Sequence, residues 1–480
     1  MKRKLIHDLS ANSLQLIINQ VCGLAVFYIL STRLSKDSFG EINWSLALLM
    51  TGFGILSLGM DQLFVRRIAA GAAPSSLLSV YLVHVLGSGL LAYGLVFVAG
   101  FVFPGFFSQH NLLLALGLAK LMIFFSTPFK QLATGLEKFR ALLLMSVCSN
   151  LVRTLALACL VIWQQYDLRY VIGIFILGDL TELLLSIYIT RTRLQVPVRL
   201  IFQRDLYRHL LKESMPQFGV TVMSVILARF DWIYLGLFTS SLLVAEYSFT
   251  YKVFEVATLP MLVIAPILIP RFTKLFHPGR SGQTPDNVQE LFLLLRLEML
   301  IASFTGLVLC ICWTPVIDRI TQHKYGAVNQ LTIILLAAAI PFLYFNNFMW
   351  TINFARGHLK SIFKIFVVTL LVNVMADILL IPLWGAEGAA AGFLLSMAVQ
   401  STAYYFITLL KGLPQAALSL PLLMLAAFIA GVLAFYLGST TWLQLGIALP
   451  LFAVLVILSA QFKAADISRL KRFASWRGNP

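Results

Sequence analysis

The chain has 480 residues, of which 59% are hydrophobic and only 12% are charged, and its mean hydropathy is +0.88. A soluble globular domain of this length needs more polar surface than this composition supplies, so lipid must be its main solvent. The net charge of +16 is concentrated in alternate loops, which argues against a nucleic-acid-binding surface. The five cysteines lie in or beside apolar runs without metal-binding spacing, and we expect them to be packing residues.

Apolar runs long enough to cross a hydrocarbon core, about 20 residues each, recur along the whole chain. The first six spans are predicted near 12–32, 42–63, 77–102, 112–129, 142–163 and 170–190. The next six are predicted near 215–238, 246–270, 291–313, 328–350, 362–384 and 386–409, followed by two near 416–437 and 441–461. The pattern therefore predicts an all-α integral membrane protein with about 14 transmembrane helices.

Lys and Arg beside spans mark the cytoplasmic side of a membrane protein. They concentrate at residues 2–4, in the run 191–212 and in the C-terminal tail, all on one predicted side. Both termini of this multi-pass protein are therefore expected on the cytoplasmic side of a bacterial inner membrane. Met1 leads into a long first span without a small-residue cleavage site, so the first helix is expected to direct membrane insertion.

The first two sets of six spans are predicted to be copies of one unit. The loop ending at Glu41 after span one matches the loop ending at Glu246 after span seven, and a polar insertion at 277–290 explains a later shift in spacing. Two lobes with the same orientation place a cavity between them. The predicted division is an N-lobe at 1–205, a C-lobe at 206–411, and two further helices with a basic tail at 412–480.

Sequence motifs of common enzyme classes are missing from the chain. It has no phosphate-binding loop ending in Lys-Ser or Lys-Thr, no HExxH and no GxSxG. The predicted extracytoplasmic loops are too short to form the active-site domain of a glycan polymerase or a glycosyltransferase. These observations favour a transporter without a cofactor over an enzyme.

Polar side chains inside the spans are the candidates for a substrate cavity, because burying them in lipid costs a few kcal/mol. In span seven, Gln217 and Asp231 share one helix face, and Arg229 lies on the opposite face. Span one has a similar polar face formed by Asn12, Gln15 and Asn19. Two such faces are expected to line one aqueous cavity, with Arg296 of span nine as another candidate.

Lys252 and Glu255 lie three residues apart in span eight, on one helix face. One interpretation is a self-neutralising pair that fixes helix packing. The other is that Lys252 contacts a diphosphate or an acidic sugar while Glu255 and Asp231 tune its charge. The sequence leaves both open.

Spans two and eight are both interrupted, by Gly52, Gly54 and Gly59 in one and by Pro260, Pro266 and Pro270 in the other. Paired interruptions are typical of site-forming helices in transporters, although membrane helices also tolerate Gly and Pro. Asp61, Arg66 and Arg67 follow at the cytoplasmic end of span two. The two arginines are either positive-inside anchors or a rim that captures an anionic headgroup.

Three further residues are candidates for coupling transport to a proton or ion. Asp179 and Glu182 lie on one face of span six, where mutual repulsion favours proton binding by one of them. Alternatively, they pair with Arg153 or Lys120 on neighbouring helices. His84 in span three either titrates near neutral pH or is a buried imidazole with satisfied hydrogen bonds.

The order of several motifs resembles that of the polysaccharide-export flippases, which belong to the multidrug/oligosaccharidyl-lipid/polysaccharide exporter superfamily. In the first lobe these are the segment 30–41 and Leu58-Gly59-Met60-Asp61 followed by Arg66-Arg67. In the second lobe they are Arg229-Phe230-Asp231-Trp232, then Lys252 and Glu255, and the segment 384–392 entering span twelve.

The resemblance implies two lobes that alternate access and flip an undecaprenyl-diphosphate-linked oligosaccharide from the cytoplasmic to the periplasmic leaflet. Expected partners are this glycan, membrane lipids and polysaccharide-assembly proteins, with no nucleic acid, and the protein is expected to be a monomer. The direction of transport would be set by Na⁺ or H⁺ or by consumption of the product. Rival hypotheses are a cation-coupled exporter of amphiphiles and, less compatible with the short loops, a membrane glycosyltransferase or polymerase.

Overall fold

The computed structural model describes residues 2–261, 272, 285–408 and 416–461. For residues 2–13, 16, 285–288 and 290 it describes the backbone only. Helices are the only regular elements in these ranges. Several predicted features lie outside the described residues: the second half of span eight with Pro266 and Pro270, most of the insertion at 277–290, and the C-terminal tail. The side chain of Asn12 does too.

Contacts divide the chain into two units, Met1–Ala245 and Glu246–Pro480. The helices that begin in the first unit are α1 (Lys2–Arg33), α2 (Lys36–Leu56), α3 (Met60–Ala69), α4 (Pro74–Val102), α5 (Pro104–Gln109), α6 (Leu112–Gly135), α7 (Phe139–Ile162), α8 (Leu168–Thr192), α9 (Arg204–Phe238) and α10 (Ser241–Ala257). Helix α10 begins at the unit boundary and continues into the second unit.

The second unit continues with five more described α-helices, and a short 3-10 helix, Ala327–Asn329, lies between the first two of them. They are α11 (Pro285–Thr321), α12 (Gln330–Ala355), α13 (Leu359–Ile407), α14 (Ser419–Leu437) and α15 (Thr441–Leu458). Helix α13 has 49 residues and contains a non-helical residue, Gly385, with φ 56° and ψ −125°. The break falls between the two spans predicted near 362–384 and 386–409, so α13 supplies both of them.

Eleven of the described helices are long and apolar enough to cross a membrane. Helix α13 accounts for two predicted spans, α1 contributes the shorter apolar stretch Ile17–Arg33, and α10 begins the span that continues outside the described residues. These helices match the predicted set of about 14, which confirms the all-α membrane fold class. Large apolar side chains lie on the outside of these helices, for example Trp442, 84% exposed, and Phe406, 71% exposed, as expected for a surface that contacts lipid.

Local sequence explains where several helices begin. Ser35 caps α2, because its hydroxyl accepts a hydrogen bond from the Ser38 N–H at 3.2 Å. Asp167 caps α8 in the same way, accepting from the Arg169 N–H at 2.9 Å. Pro74 and Pro104 are the first residues of α4 and α5, where a missing N–H costs nothing.

Helix α9, predicted to begin the second lobe, packs against α2 and α3 within the first unit. In the same unit, α1 packs on α7, while α6 packs on α4 and α8. The first unit therefore contains a bundle of helices in which α9 packs against both α2 and α3. The division into three segments at 205 and 411 stays a prediction.

Candidate functional site

Span two is broken in the structure at the glycine that the sequence singled out. Helix α2 ends at Leu56 and α3 begins at Met60, with Gly59 between them at φ 69°. A Cβ at Gly59 would lie 2.5 Å from the backbone nitrogen of Phe218 on α9. Gly59 thus serves two needs, a left-handed backbone and close contact with a neighbouring helix.

Small residues bring α2 and α9 equally close at the opposite end, which is the predicted periplasmic end. A Cβ at Gly40 would lie 1.7 Å from the carbonyl oxygen of Ser241, and one at Gly236 would lie 2.0 Å from the Trp44 ring. The Trp44 Nε1–H also donates to the carbonyl oxygen of Ile233 at 3.1 Å. We call the whole contact, from Gly40 to Gly59 on one side and Gln217 to Ser241 on the other, the α2/α9 seam.

A buried polar cluster lies at the Gly40 end of this seam. The Glu41 carboxylate lies 3.1 Å from His110 Nδ1, and the Ser241 hydroxyl donates to the same carboxylate at 3.5 Å. The Trp44 ring stacks on the imidazole of His110, with ring centroids 4.0 Å apart. This Glu41 cluster (Glu41, Trp44, His110 and Ser241) ties α2 to the turn between α9 and α10.

The second unit repeats part of this arrangement. Glu246 is buried like Glu41, and three residues later Phe249 stacks on Tyr325, with centroids 4.3 Å apart. Trp44 likewise follows Glu41 by three residues and stacks on a ring contributed by a later loop. The two units thus share a buried glutamate and a ring stack three residues later, with histidine in the first unit and tyrosine in the second, and the repeat itself stays a prediction.

A second polar cluster lies at the Gly59 end of the seam. Arg66 and Arg67 of α3 each donate to one carboxylate oxygen of Glu213, and His209 lies 3.9 Å from that carboxylate. Glu213 lies in the charged start of α9, ahead of the span predicted near 215–238. The Arg67 hydrogen bond, followed by the charges of both arginines, lowers the pKa of the Glu213 carboxyl. This Glu213 cluster holds α3 against α9.

Asp61 and His84 lie beside the break in span two. The Tyr81 hydroxyl donates to Asp61, and His84 Nε2 lies 3.0 Å from the carbonyl oxygen of Leu56, the last residue of α2. The Nδ1 atom of His84 faces the Tyr207 hydroxyl at 3.3 Å. His84 thus satisfies a helix-end carbonyl that would otherwise lack a partner. The structure places it as a support of the break.

Asp179 belongs to a buried charge network between α6, α7 and α8. It is fully buried and accepts from Lys120 Nζ at 2.9 Å and from the Arg153 guanidinium. A Cβ at Gly178 would lie 3.2 Å from Arg153 Nε, so the glycine before Asp179 makes room for this pair.

Glu182, one turn further along α8, has partners of its own. It accepts from Lys130 Nζ at 2.5 Å and from the Ser149 hydroxyl at 2.7 Å. Asn150 extends the same network: its Oδ1 accepts from Arg153 at 3.1 Å, and its Nδ2 donates to Asn19 at 3.0 Å. The network therefore joins α1 to α6, α7 and α8 through charge-assisted hydrogen bonds.

The remaining candidates of the first unit lie along α1 and α9. Asp231 is buried and accepts from the N–H of Trp232 at 2.8 Å, while the Arg229 guanidinium lies 4.7 Å from the Trp232 ring centroid. Gln217 is half-buried beside the Gly59 break. Gln15 is half-buried, and its Oε1 has no hydrogen-bond partner in the described structure.

In the second unit, Lys252 and Glu255 form the pair that their spacing predicts, with Nζ and Oε2 2.7 Å apart. Both side chains keep partial exposure, 25% and 33%. Arg296 Nη1 lies 3.5 Å from the carbonyl oxygen of Gln461. A cavity shared by residues of both units stays a prediction.

Sequence reasoning missed three residues of these clusters. Glu213 lies in a run of basic residues, and only its position opposite Arg66 and Arg67 distinguishes it. His110 lies in a loop, and Lys130 lies at the end of a span, where cations are ordinary. Lys130 follows Lys120 by ten residues on one helix, which places the two side chains about 80° apart around its axis, so their spacing gave no signal either.

Broken helices, buried ion pairs between spans and a wholly helical fold define a class, the multi-pass membrane transporters. The chain belongs to a particular family of that class, because the family described as polysaccharide biosynthesis protein matches residues 5–276. No curated protein sequence matches the chain. The predicted family and transporter fold are thereby confirmed.

Solved structures support the same fold. A structure described as the lipid II flippase MurJ in an inward closed conformation matches with a TM-score of 0.71 and 15% identity, covering 93% of this chain and 98% of that one. An inward-facing multidrug resistance MATE family transporter of the MOP superfamily matches with a TM-score of 0.64 and 12% identity, over 85% and 98%. A MOP superfamily transporter from Pyrococcus furiosus matches with a TM-score of 0.56 and 12% identity, covering 85% of this chain and 94% of that one.

Proposed function

We propose that this protein flips an undecaprenyl-diphosphate-linked oligosaccharide from the cytoplasmic to the periplasmic leaflet of a bacterial inner membrane. The observation that carries the proposal is the broken helix pair α2 and α3, which ends in two arginines beside α9, in a chain of the polysaccharide biosynthesis family. The fold shared with a lipid II flippase supports a lipid-linked substrate.

The substrate would be handled in two parts. Its glycan would occupy a polar cavity lined by residues such as Gln15, Asn19 and Gln217, while the lipid tail stays in the bilayer. Its diphosphate would displace the Glu213 carboxylate from Arg66 and Arg67, because a phosphate offers the same donors more charge. Lys252, held by Glu255 in the second unit, is a separate candidate for the same kind of exchange. Opening and closing of the α2/α9 seam would then alternate access.

Leaflet-resolved lipid analysis of cells lacking the protein tests this function. The expected result is an unpolymerised lipid-linked oligosaccharide that accumulates in the cytoplasmic leaflet and returns to wild-type level when the gene is restored. Identification of that glycan names the substrate. Normal distribution of all lipid-linked oligosaccharides between the leaflets would contradict the proposal.

A second candidate is a cation-coupled exporter of small amphiphiles, which the fold shared with MATE family transporters favours. It predicts altered sensitivity to amphiphilic compounds in cells lacking the protein, with lipid-linked oligosaccharides unchanged. The same strain therefore separates the two functions.

A further inference from the structure

Glu298 stands apart from the carboxylates described above. It lies on α11, only 4% exposed, and its Oε2 atom has no hydrogen-bond partner. Neither a hydrogen bond nor an ion pair to this side chain occurs in the part of the chain that the structure describes. Asp179 and Glu182, the carboxylates predicted from sequence as proton carriers, each have a lysine within 2.9 Å.

Among the described residues, no cation pairs with Glu298. Helix α11 packs against α12, α14 and α15, and none of these three helices contains Lys, Arg, His, Asp or Glu. Helix α10 also contacts α11, through the rings of Phe249 and Trp313, and its charged residues are Glu246 and the paired Lys252 and Glu255. On α12 the titratable residue is Tyr344, whose buried hydroxyl has no hydrogen-bond partner in the described structure. On α11 itself, Arg296 is two residues away, about 200° around the helix, and contacts Gln461.

Glu298 also lies well inside a predicted membrane span. Glu298 lies about seven residues into the span predicted near 291–313, which is about 10 Å along the helix axis. An ionised carboxylate at such a place, without a donor or a cation, costs far more than a neutral carboxylic acid. The side chain is therefore protonated in this conformation.

We propose that Glu298 is the proton-binding site that couples transport to the transmembrane proton gradient. The carboxylic acid holds its proton while the site is closed, and it transfers that proton to water in a conformation that opens the site. A single carboxylate suits a proton better than a metal ion, since no group of three His, Cys, Asp or Glu able to hold a metal occurs among the described residues. Coupling rests on the proposed transport function, whereas proton binding does not.

Infrared difference spectroscopy of the purified full-length chain in lipid tests proton binding without any substrate. The wild-type protein at neutral pH is expected to show a carboxylic-acid C=O stretching band that Glu298→Gln removes. Glu387→Gln is the matched control, because Glu387 is a half-buried glutamate of the same unit that makes no hydrogen bond or ion pair with the described residues. Retention of the full band in Glu298→Gln would overturn the proposal.

Thermal unfolding provides a second measurement of the same state. Gln has nearly the shape of a neutral Glu, so Glu298→Gln is expected to keep the wild-type Tm at neutral pH. A clear loss of Tm would show instead that Glu298 is ionised and paired in the native protein, which contradicts the proposal.

Coupling is tested by export in cells that lack the native gene and express each variant. Surface glycan is measured as external pH is varied, with and without a protonophore. If one proton drives transport, the amount of surface glycan is expected to change by up to about tenfold per pH unit in the wild type and in Glu387→Gln. Glu298→Gln is expected to lose this response, and a wild-type response in that variant would refute the coupling role. Absence of glycan flipping by the wild type, with the infrared band intact, would instead reject the proposed function alone.

Discussion

At the scale of single residues, the membrane-buried charges differ in how completely they are satisfied. Asp179 and Glu182 each accept from at least two donors, and Lys252 pairs with Glu255. Breaking a buried pair leaves an uncompensated charge, which is costly, even where the intact pair contributes little net stability. Substitutions at these positions therefore distinguish ion pairs that stabilise the fold from ion pairs whose cation can release its carboxylate and bind substrate.

Asp179→Ala is expected to destabilise the protein by roughly 3–5 kcal/mol, because it leaves Lys120 and Arg153 buried without their shared carboxylate. The measurement is thermal or denaturant unfolding of the purified protein. Asp205→Ala serves as a control, since Asp205 is exposed at the start of α9. Equal stabilities of the two variants would refute a structural role for the Asp179 network.

Lys252→Ala and Asp231→Ala are expected to reduce transport while leaving expression and membrane insertion intact. Lys252 is partly exposed, and its loss frees Glu255 without burying a charge deeply. Glycan export in complemented cells and protein level in the membrane fraction are the two measurements. Wild-type export by both variants would remove these residues from the substrate site.

The sequence allowed prediction of side-chain contacts between residues of the same helix, because their spacing shows which of them share a face. The three-residue interval between Lys252 and Glu255 placed them on one face, and their ion pair is one of the two interpretations that the sequence left open. Partners on different helices were harder to predict, because three cations, Lys120, Lys130 and Arg153, were available for two acids. Only the packing of α8 against α6 and α7 assigns them. The contact of Glu213 with α3 depends on tertiary packing that no local pattern encodes.

At the scale of helices, the α2/α9 seam depends on glycines placed at both ends. The sequence predicted an interruption of span two at Gly59, and the structure confirms a left-handed residue there. The sequence did not predict that the same glycine also touches the backbone of α9. A close contact of this kind leaves no periodic signal, because it depends on the neighbour as much as on the glycine.

Gly59→Ala is expected to destabilise the protein more than Gly71→Ala. Both glycines have positive φ, 69° and 89°, so each substitution costs about 1–2 kcal/mol of backbone strain. Only Gly59 adds a clash with Phe218, since a Cβ at Gly71 meets open space. Unfolding measurements on both variants isolate the contribution of the seam, and equal losses would show that strain alone matters.

The Glu213 cluster gives the seam a dependence on pH. Because the arginines lower the pKa of Glu213 in the folded state, its contribution to stability is present above the unfolded-state pKa of about 4.3. That contribution disappears as pH falls through the lowered folded-state pKa. The difference in Tm between wild type and Glu213→Gln should therefore shrink on acidification. A constant difference across the acid range would exclude a charge-based contact.

At the scale of the whole molecule, hydropathy predicted the number and placement of spans well. Composition alone required lipid as solvent, and the break at Gly385 falls where two adjacent apolar runs were separated in the sequence. The grouping of helices was less accessible, since α9 begins the second copy in sequence but packs with α2 and α3 in space. Loop charges and repeats report chain topology, and they say little about which helices touch.

Topology predicts that two loops of the first unit lie on opposite sides of the membrane, because three helices, α6, α7 and α8, separate them. In a cysteine-free background, Ser108→Cys is expected to react with an impermeant thiol reagent in intact cells, and Arg199→Cys only after permeabilisation. Both positions are exposed in the structure. Labelling of both in intact cells would contradict the predicted orientation.

The buried charge network also bears on how the chain enters the membrane. Its cations come first along the chain, on α6 and α7, and both acids follow on α8. During synthesis, Lys120 and Arg153 therefore reach the bilayer before their carboxylate partner has been made. Each unpaired charge in the hydrocarbon core then costs a few kcal/mol of free energy. Stable integration of α6 and α7 thus depends on the arrival of α8, so these three helices must leave the insertion machinery as one set.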